Sequence, residues 1–95
     1  MIRWTVFYPK TEGATFDHDY YRDKHIPVFA AALGRSDVEV TRGIDGPHEA
    51  SATVTFDSLD ELKAALAKLD FKFLADDLPN YSTIPGQVQV SETTG

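Results

Sequence analysis

A β-hairpin signal stands between two helical stretches, and that placement constrains the fold more than any other feature of the chain. Asp45-Gly46-Pro47 is a turn sequence. Before it, Val38 to Ile44 reads as a strand, with Val38, Val40 and Ile44 on one face and Glu39 and Thr41 on the other. After it, Ala50 to Phe56 sets Ala50, Ala52, Val54 and Phe56 against Ser51, Thr53 and Thr55. Two such runs around a short turn predict an antiparallel hairpin. A helical pattern flanks the hairpin on each side, and one further alternating run lies beyond each helix. Ile2 to Tyr8 opens the chain with Ile2, Trp4, Val6 and Tyr8 on one face, and Gly86 to Ser91 supplies Val88 and Val90 near its end. The order is βαββαβ. It predicts one α+β domain over residues 1–95, a ferredoxin-like four-stranded antiparallel sheet with two helices on one face.

The second helical stretch opens on Ser58-Leu59-Asp60-Glu61, which fits a capping box. Leu59, Leu62, Leu66, Leu69 and Phe73 then recur at helical spacing, so one amphipathic helix is predicted, closed by Pro79, with core packing as its role. The first stretch, Phe16 to Gly34, carries more chemistry. Asp17 suits the N-cap and Gly34 a left-handed exit. At about 100° per residue, His18, Tyr21, Arg22, His25 and Phe29 share one face, continued by Ala32 and Leu33. Pro27 has no N–H for the carbonyl of Asp23, which predicts a kink or loosening beside His25. The same proline also serves a helix that merely bends around a curved sheet.

Charge and composition narrow the partners. Fifteen acidic against nine basic residues give a net charge of −6, which argues against nucleic acid and against an anionic membrane surface. No apolar run approaches the roughly 20 residues of a membrane span. The chain enters a strand pattern at once and has no cysteine, so a cytoplasmic protein without disulfides or thiolate chemistry is expected. His18 and His25 lie two helical turns apart, roughly 10 Å along the axis, too far to chelate one ion directly, so no metal site is predicted. No phosphate loop, nucleophile elbow or dinucleotide fingerprint is present, and no cofactor is predicted.

His25 is the leading candidate for proton transfer, because an ordinary imidazole titrates near pH 6.5. Tyr21, four residues earlier, places its ring beside it. Trp4, Tyr8 and Phe56 from the sheet, with His18 and Phe29 from the helix, are the candidate substrate-binding residues between the two layers. Each also has a structural alternative. His25 can be hydrogen-bonded to the sheet or to a carbonyl freed by Pro27, and Tyr21 can simply pack.

Tyr8-Pro9 followed by Phe16, Asp17, Tyr20, Tyr21, His25 and Pro27 resembles the opening motif of the EthD (ethyl tert-butyl ether degradation) family. Asp77-Leu78-Pro79-Asn80-Tyr81-Ser82 resembles the run that follows that family's second helix. The resemblance covers nearly the whole chain and implies a dimeric α/β barrel, two ferredoxin-like units packed through their sheets. The same architecture includes muconolactone isomerases and cofactor-free monooxygenases of aromatic polyketide pathways. What it implies here is a homodimer with a pocket for a small aromatic or cyclic compound. If the protein is an enzyme, a cofactor-free isomerase, cyclase or monooxygenase using His25 and Tyr21 is implied. The alternative is a non-catalytic accessory or ligand-binding protein. The sheet face away from the helices, with Arg3, Thr5, Phe7, Glu39, Thr41, Ser51, Thr53, Thr55, Gln87 and Gln89, is polar but threonine-rich and suits a half-buried surface.

Overall fold

Strand β1, Ile2–Pro9, is the spine of the molecule. The computed structural model describes residues 1–95. In it β1 pairs antiparallel with β3, His48–Phe56, on one side and with β4, Gln87–Glu92, on the other; β2, Glu39–Arg42, adds to the far edge of β3. The strand order β2-β3-β1-β4 is the ferredoxin-like arrangement. Trp4 lies opposite Val54 and Val90, and Val6 opposite Ala52 and Val88. Because side chains alternate along a strand, these rows form the apolar face under the helices. Trp4, Tyr8, Ala50, Ala52, Val54 and Phe56 are buried there.

The first helical run, residues 18–33, is held by the signals that its sequence carries. Asp17 has extended geometry and accepts from the Tyr20 N–H at 3.0 Å. Gly34 leaves the helix with φ 71°. Between them the run changes register. It is α-helical over α1, His18–Tyr20, π-helical over Tyr21–His25, and α-helical again over α2, Ile26–Leu33. The Ile26 N–H reaches back five residues to the Tyr21 carbonyl. Pro27, which lacks the next donor, stands directly after the wide turn. The expected loosening beside His25 therefore takes the form of a π turn.

Three sequence expectations need correction. The stretch from Leu59 to Phe73 is not one helix. It divides into α3, Leu59–Leu66, capped by Ser58, and α4, Phe71–Asp77, capped by Asp70, whose carboxylate accepts from the Phe73 N–H at 3.0 Å. A strong N-cap in the middle of the periodic run ends the first helix and starts another, so Leu69 is buried in the connection while Leu59 and Phe73 stay exposed. In the hairpin, β2 stops at Arg42 and β3 begins at His48, so Ile44 sits in the connecting loop, 95% exposed. Gly43 causes this. Its N–H donates to the Glu49 carbonyl at 2.8 Å, and its α-carbon packs so close to His48 that a Cβ would lie 2.0 Å from the His48 carbonyl oxygen. Finally, Val88 and Val90 lie on the helix-facing side as expected, yet remain about half exposed (59% and 48%), because β4 is the edge strand on the open side of the helical layer.

Gly43→Ala is accordingly expected to cost about 1–3 kcal/mol, the range for forcing extra carbon into a filled space. A fall in the urea midpoint with an unchanged slope would register it; an unchanged midpoint would mean that the hairpin end yields freely.

Candidate functional site

Two distant segments meet where the first helical run begins. The Asp17 N–H donates to the Tyr81 carbonyl at 2.6 Å, the Thr83 N–H donates to the Thr15 carbonyl at 3.1 Å, and the Thr15 N–H donates to the Thr83 hydroxyl at 2.9 Å. This strap fixes the chain after α4 against the chain before α1. It delivers Tyr81 into a cluster with Tyr8, Phe16, Tyr21 and His25. Tyr21 and His25, four residues apart across the π turn, stack at 5.5 Å between ring centroids with planes 14° apart. Tyr81 tilts against His25 at 4.6 Å and against Tyr21 at 4.9 Å. Tyr8 meets Tyr21 and Tyr81 edge-on. Such pairs add about 0.5–1.5 kcal/mol each beyond the area they bury.

Tyr8, Tyr21, His25 and Tyr81 of this cluster line one end of a cavity of about 210 Å³ between sheet and helices. Trp4, Val6, Ala52 and Val88 line its floor, Ile26 and Phe29 its roof, and Phe71, Leu74 and Leu78 its side. Trp4 and Phe29 stack on each other at 5.5 Å. Phe71 and Val88 are each more than half exposed and form the mouth. Nearly all of the lining is apolar. Its exceptions are the imidazole of His25 and the hydroxyls of Tyr8, Tyr21 and Tyr81. An apolar pocket with a few convergent polar groups is the usual form of a small-molecule site.

The polar groups form a chain. His25 is 7% exposed. Its Nδ1 lies 2.8 Å from Asp77 Oδ2 and its Nε2 lies 3.4 Å from the Tyr81 hydroxyl, which in turn lies 2.9 Å from the Tyr8 hydroxyl. Tyr20 donates to Asp77 Oδ1 at 2.8 Å, and Asn80 donates to the same oxygen at 2.9 Å. Burial alone would raise the Asp77 carboxyl, but donation from Asn80, His25 and Tyr20 outweighs it and holds the group below the usual carboxylate range. The phenols move the other way. Burial pushes Tyr21 and Tyr81 well above the ordinary phenol range, reinforced by their neighbour Tyr8, and burial also raises Tyr8 against the hydrogen bonds that it makes. All three remain protonated at neutral pH and can donate.

No protein-family model matches the sequence, and no curated protein matches it. Solved structures do. An EthD-like protein from Ralstonia eutropha JMP134 is 35% identical over 96% of this chain and 89% of that one, with a TM-score of 0.82. The chain belongs to the EthD family. An ethyl tert-butyl ether degradation family protein from Bacillus halodurans C-125 shares the fold at 18% identity, with 99% of each chain covered and a TM-score of 0.72. So does SnoaB, a cofactor-independent oxygenase from Streptomyces nogalater, at 18% identity over 98% of this chain and 93% of that one, with a TM-score of 0.58. No helix of this EthD-family protein is long and apolar enough to cross a membrane.

Of the residues singled out in the sequence, His25, Tyr21, Trp4, Tyr8 and Phe29 all line the cavity of this EthD protein. His18 and Phe56 do not. His18 is part-buried against Phe16 and pairs with Glu49 at 3.3 Å, because it precedes the π turn and sits over the end of β3 rather than over the cavity. Phe56 is buried at the opposite end of β3, with the Arg35 guanidinium 5.0 Å above its ring. Sequence reasoning did not assign Asp77, Tyr81 and Tyr20 to the site. The signal for the first two was the Asp77-to-Ser82 run itself, whose Asp and aromatic both contact His25.

Asp77 has a testable consequence for stability. Its folded pKa lies below its ordinary value of about 3.9. Its contribution is therefore present above that value and is lost as pH falls through the folded pKa. As pH falls below about 4 the wild type should lose more thermal stability than Asp77→Asn does. Equal losses would show that Asp77 carries none of the acid sensitivity.

Proposed function

We propose that this protein binds a small aromatic or cyclic organic compound in the cavity and moves a proton on it through His25, with Tyr21 as a hydrogen-bond donor and without a cofactor. The observation that carries the proposal is an imidazole, backed by a carboxylate, at the inner wall of an otherwise apolar cavity with phenols around it. Such a site can take a proton from a hydroxyl, or from a carbon beside a carbonyl, and donate hydrogen bonds to the anion that results. Return of the proton at another carbon is isomerisation; attack of the anion within the molecule is cyclisation; its reaction with dioxygen is oxygenation. Likeness to a cofactor-independent oxygenase supports a place for this chemistry on the fold. Trp4, Tyr8 and Phe29 would hold the ring of the compound.

The second reading is a non-catalytic accessory protein that uses the same cavity to hold its ligand. The apolar lining favours it, since binding needs nothing more. A ligand-observed screen over aromatic ketones, lactones and quinols separates the two. For an enzyme, at least one bound compound is converted, and His25→Ala retains binding while turnover falls by about 100-fold or more. Binding without conversion by the wild type would leave the accessory role.

We also propose that the protein is a homodimer formed sheet to sheet. Both helical layers lie on one side, leaving the other face of the sheet uncovered. Thr5 and Thr53 are already buried there, with their hydroxyls 3.0 Å apart, and Phe7 packs on His48 at 4.5 Å. A two-fold interface would set like charges against each other, on subunits that each carry −6. Thr55→Glu with Gln89→Glu should therefore convert a dimer to a monomer in light scattering at micromolar concentration. A monomeric wild type would end the proposal.

A further inference from the structure

We propose, resting on the role given above to His25, that Asp77 is its positioning residue: with Tyr20 and Asn80 it fixes the proton on Nδ1 and leaves the Nε2 lone pair facing Tyr81 and the cavity. An ionised carboxylate only accepts hydrogen bonds, so the 2.8 Å contact between Asp77 Oδ2 and His25 Nδ1 requires a proton on Nδ1. The carboxylate cannot turn away. Tyr20 and Asn80 both hold its other oxygen, and side-chain exposure is 17% for Asp77 and 8% for His25. In the neutral ring Nε2 then carries the free lone pair. Its neighbour is the Tyr81 hydroxyl at 3.4 Å, beyond the usual 2.7–3.2 Å of a good hydrogen bond, while that hydroxyl has a nearer partner in Tyr8 at 2.9 Å. Nε2 is therefore open to a proton from a bound compound. When a ligand hydroxyl gives one up, its O–H bond breaks, the Nε2–H bond forms, and the electron pair stays on the ligand oxygen. The imidazolium that results faces the Asp77 carboxylate, and no other reactant is needed.

Three elements cooperate in this clamp. Tyr20 ends α1, immediately before the π turn that contains His25; Asp77 is the last residue of α4; Asn80 ends the 3-10 turn Leu78–Asn80. The arrangement dictates what an amide would do in place of the carboxylate. With Tyr20 and Asn80 donating to one position, an asparagine at 77 would put its oxygen there and its NH2 against Nδ1. Nδ1 must then accept, and the proton moves to Nε2. Nε2 would become a donor and lose its capacity as a base, the same logic by which an amide in a catalytic triad imposes the wrong tautomer.

The test is long-range 1H–15N NMR of the full chain with labelled histidine at about pH 8.5, where an ordinary imidazole is neutral. The His25 signals are assigned by their absence in His25→Gln. In the wild type, the protonated nitrogen should be Nδ1 and the bare one Nε2. In Asp77→Asn the two should exchange, with the near-ultraviolet aromatic signal retained. Adding Tyr20→Phe and Asn80→Ala frees the amide to rotate and should return the proton to Nδ1. A wild-type ring protonated on Nε2 or on both nitrogens overturns the proposal without any variant, and so does Asp77→Asn that folds and keeps Nδ1–H. Binding of 1-naphthol, read by its fluorescence, should weaken by about tenfold in Asp77→Asn, because a hydroxyl then meets a donor where it met an acceptor. If the wild type shows the Nδ1–H ring but does not bind 1-naphthol, the clamp stands and only the ligand class proposed for the cavity fails.

Discussion

The strap between residues 15–17 and 81–83 is the constraint on which the rest of the site depends. Its hydrogen bonds, from Asp17 to Tyr81, from Thr83 to Thr15 and from Thr15 to Thr83, join the start of the first helical run to the loop after the second. Without it, the polar end of the cavity would consist of Tyr8, Tyr21 and His25 from one half of the chain only. With it, Tyr81 closes the aromatic cluster, and Asp77, one short turn earlier, comes within reach of His25 and Tyr20. Backbone hydrogen bonds are suited to this work because both partners are fixed in direction by the chain itself. Asp17 takes part twice, since its carboxylate caps α1 while its N–H holds the Tyr81 carbonyl.

Pro27 shapes the same site from within the helix. A regular α-helix through residues 18–33 would place each side chain about 100° from the last. The π turn spans Tyr21–His25, and the residues at its two ends both face inward, 1% and 7% exposed. Arg22, Asp23 and Lys24, between them, all stay in solvent. A proline after the wide turn stabilises it, because the donor that an ordinary α-turn would need at that position does not exist.

The cavity follows from the way in which the second helical stretch breaks. A single long helix from Leu59 to Phe73 could lie along the sheet and fill the groove. Two short helices, separated at the Asp70 cap, leave Phe71, Leu74 and Leu78 as one wall and the edge strand β4 as the other. The half-exposed Val88 of β4 is thus not an uncovered core residue but belongs to the mouth of a cavity. The cavity rests on incomplete packing at one edge, with a polar cluster built around the Asp77–His25 contact at the end of that gap. Every buried side-chain nitrogen and oxygen has a partner, which leaves the cluster rigid rather than strained.

By itself the sequence determined whatever depends on neighbouring residues. Alternation in Ile2 to Tyr8 and Ala50 to Phe56, the caps at Asp17 and Ser58, the glycine exit at Gly34 and the missing donor at Pro27 all act within a few residues, and all were legible. So was the βαββαβ order, because each element carries its own local period, and that order is the ferredoxin-like one. His25 and Tyr21 could be named together because they lie one turn apart on one helix. Tertiary structure alone decided the rest. It placed Asp77 and Tyr81 on His25 across 52 and 56 residues of sequence, left His18 and Phe56 outside the cavity, and turned one periodic stretch into two helices. Periodicity records which side chains avoid water. It does not record which of them will meet, and a hydrogen bond between distant residues leaves no period in the chain.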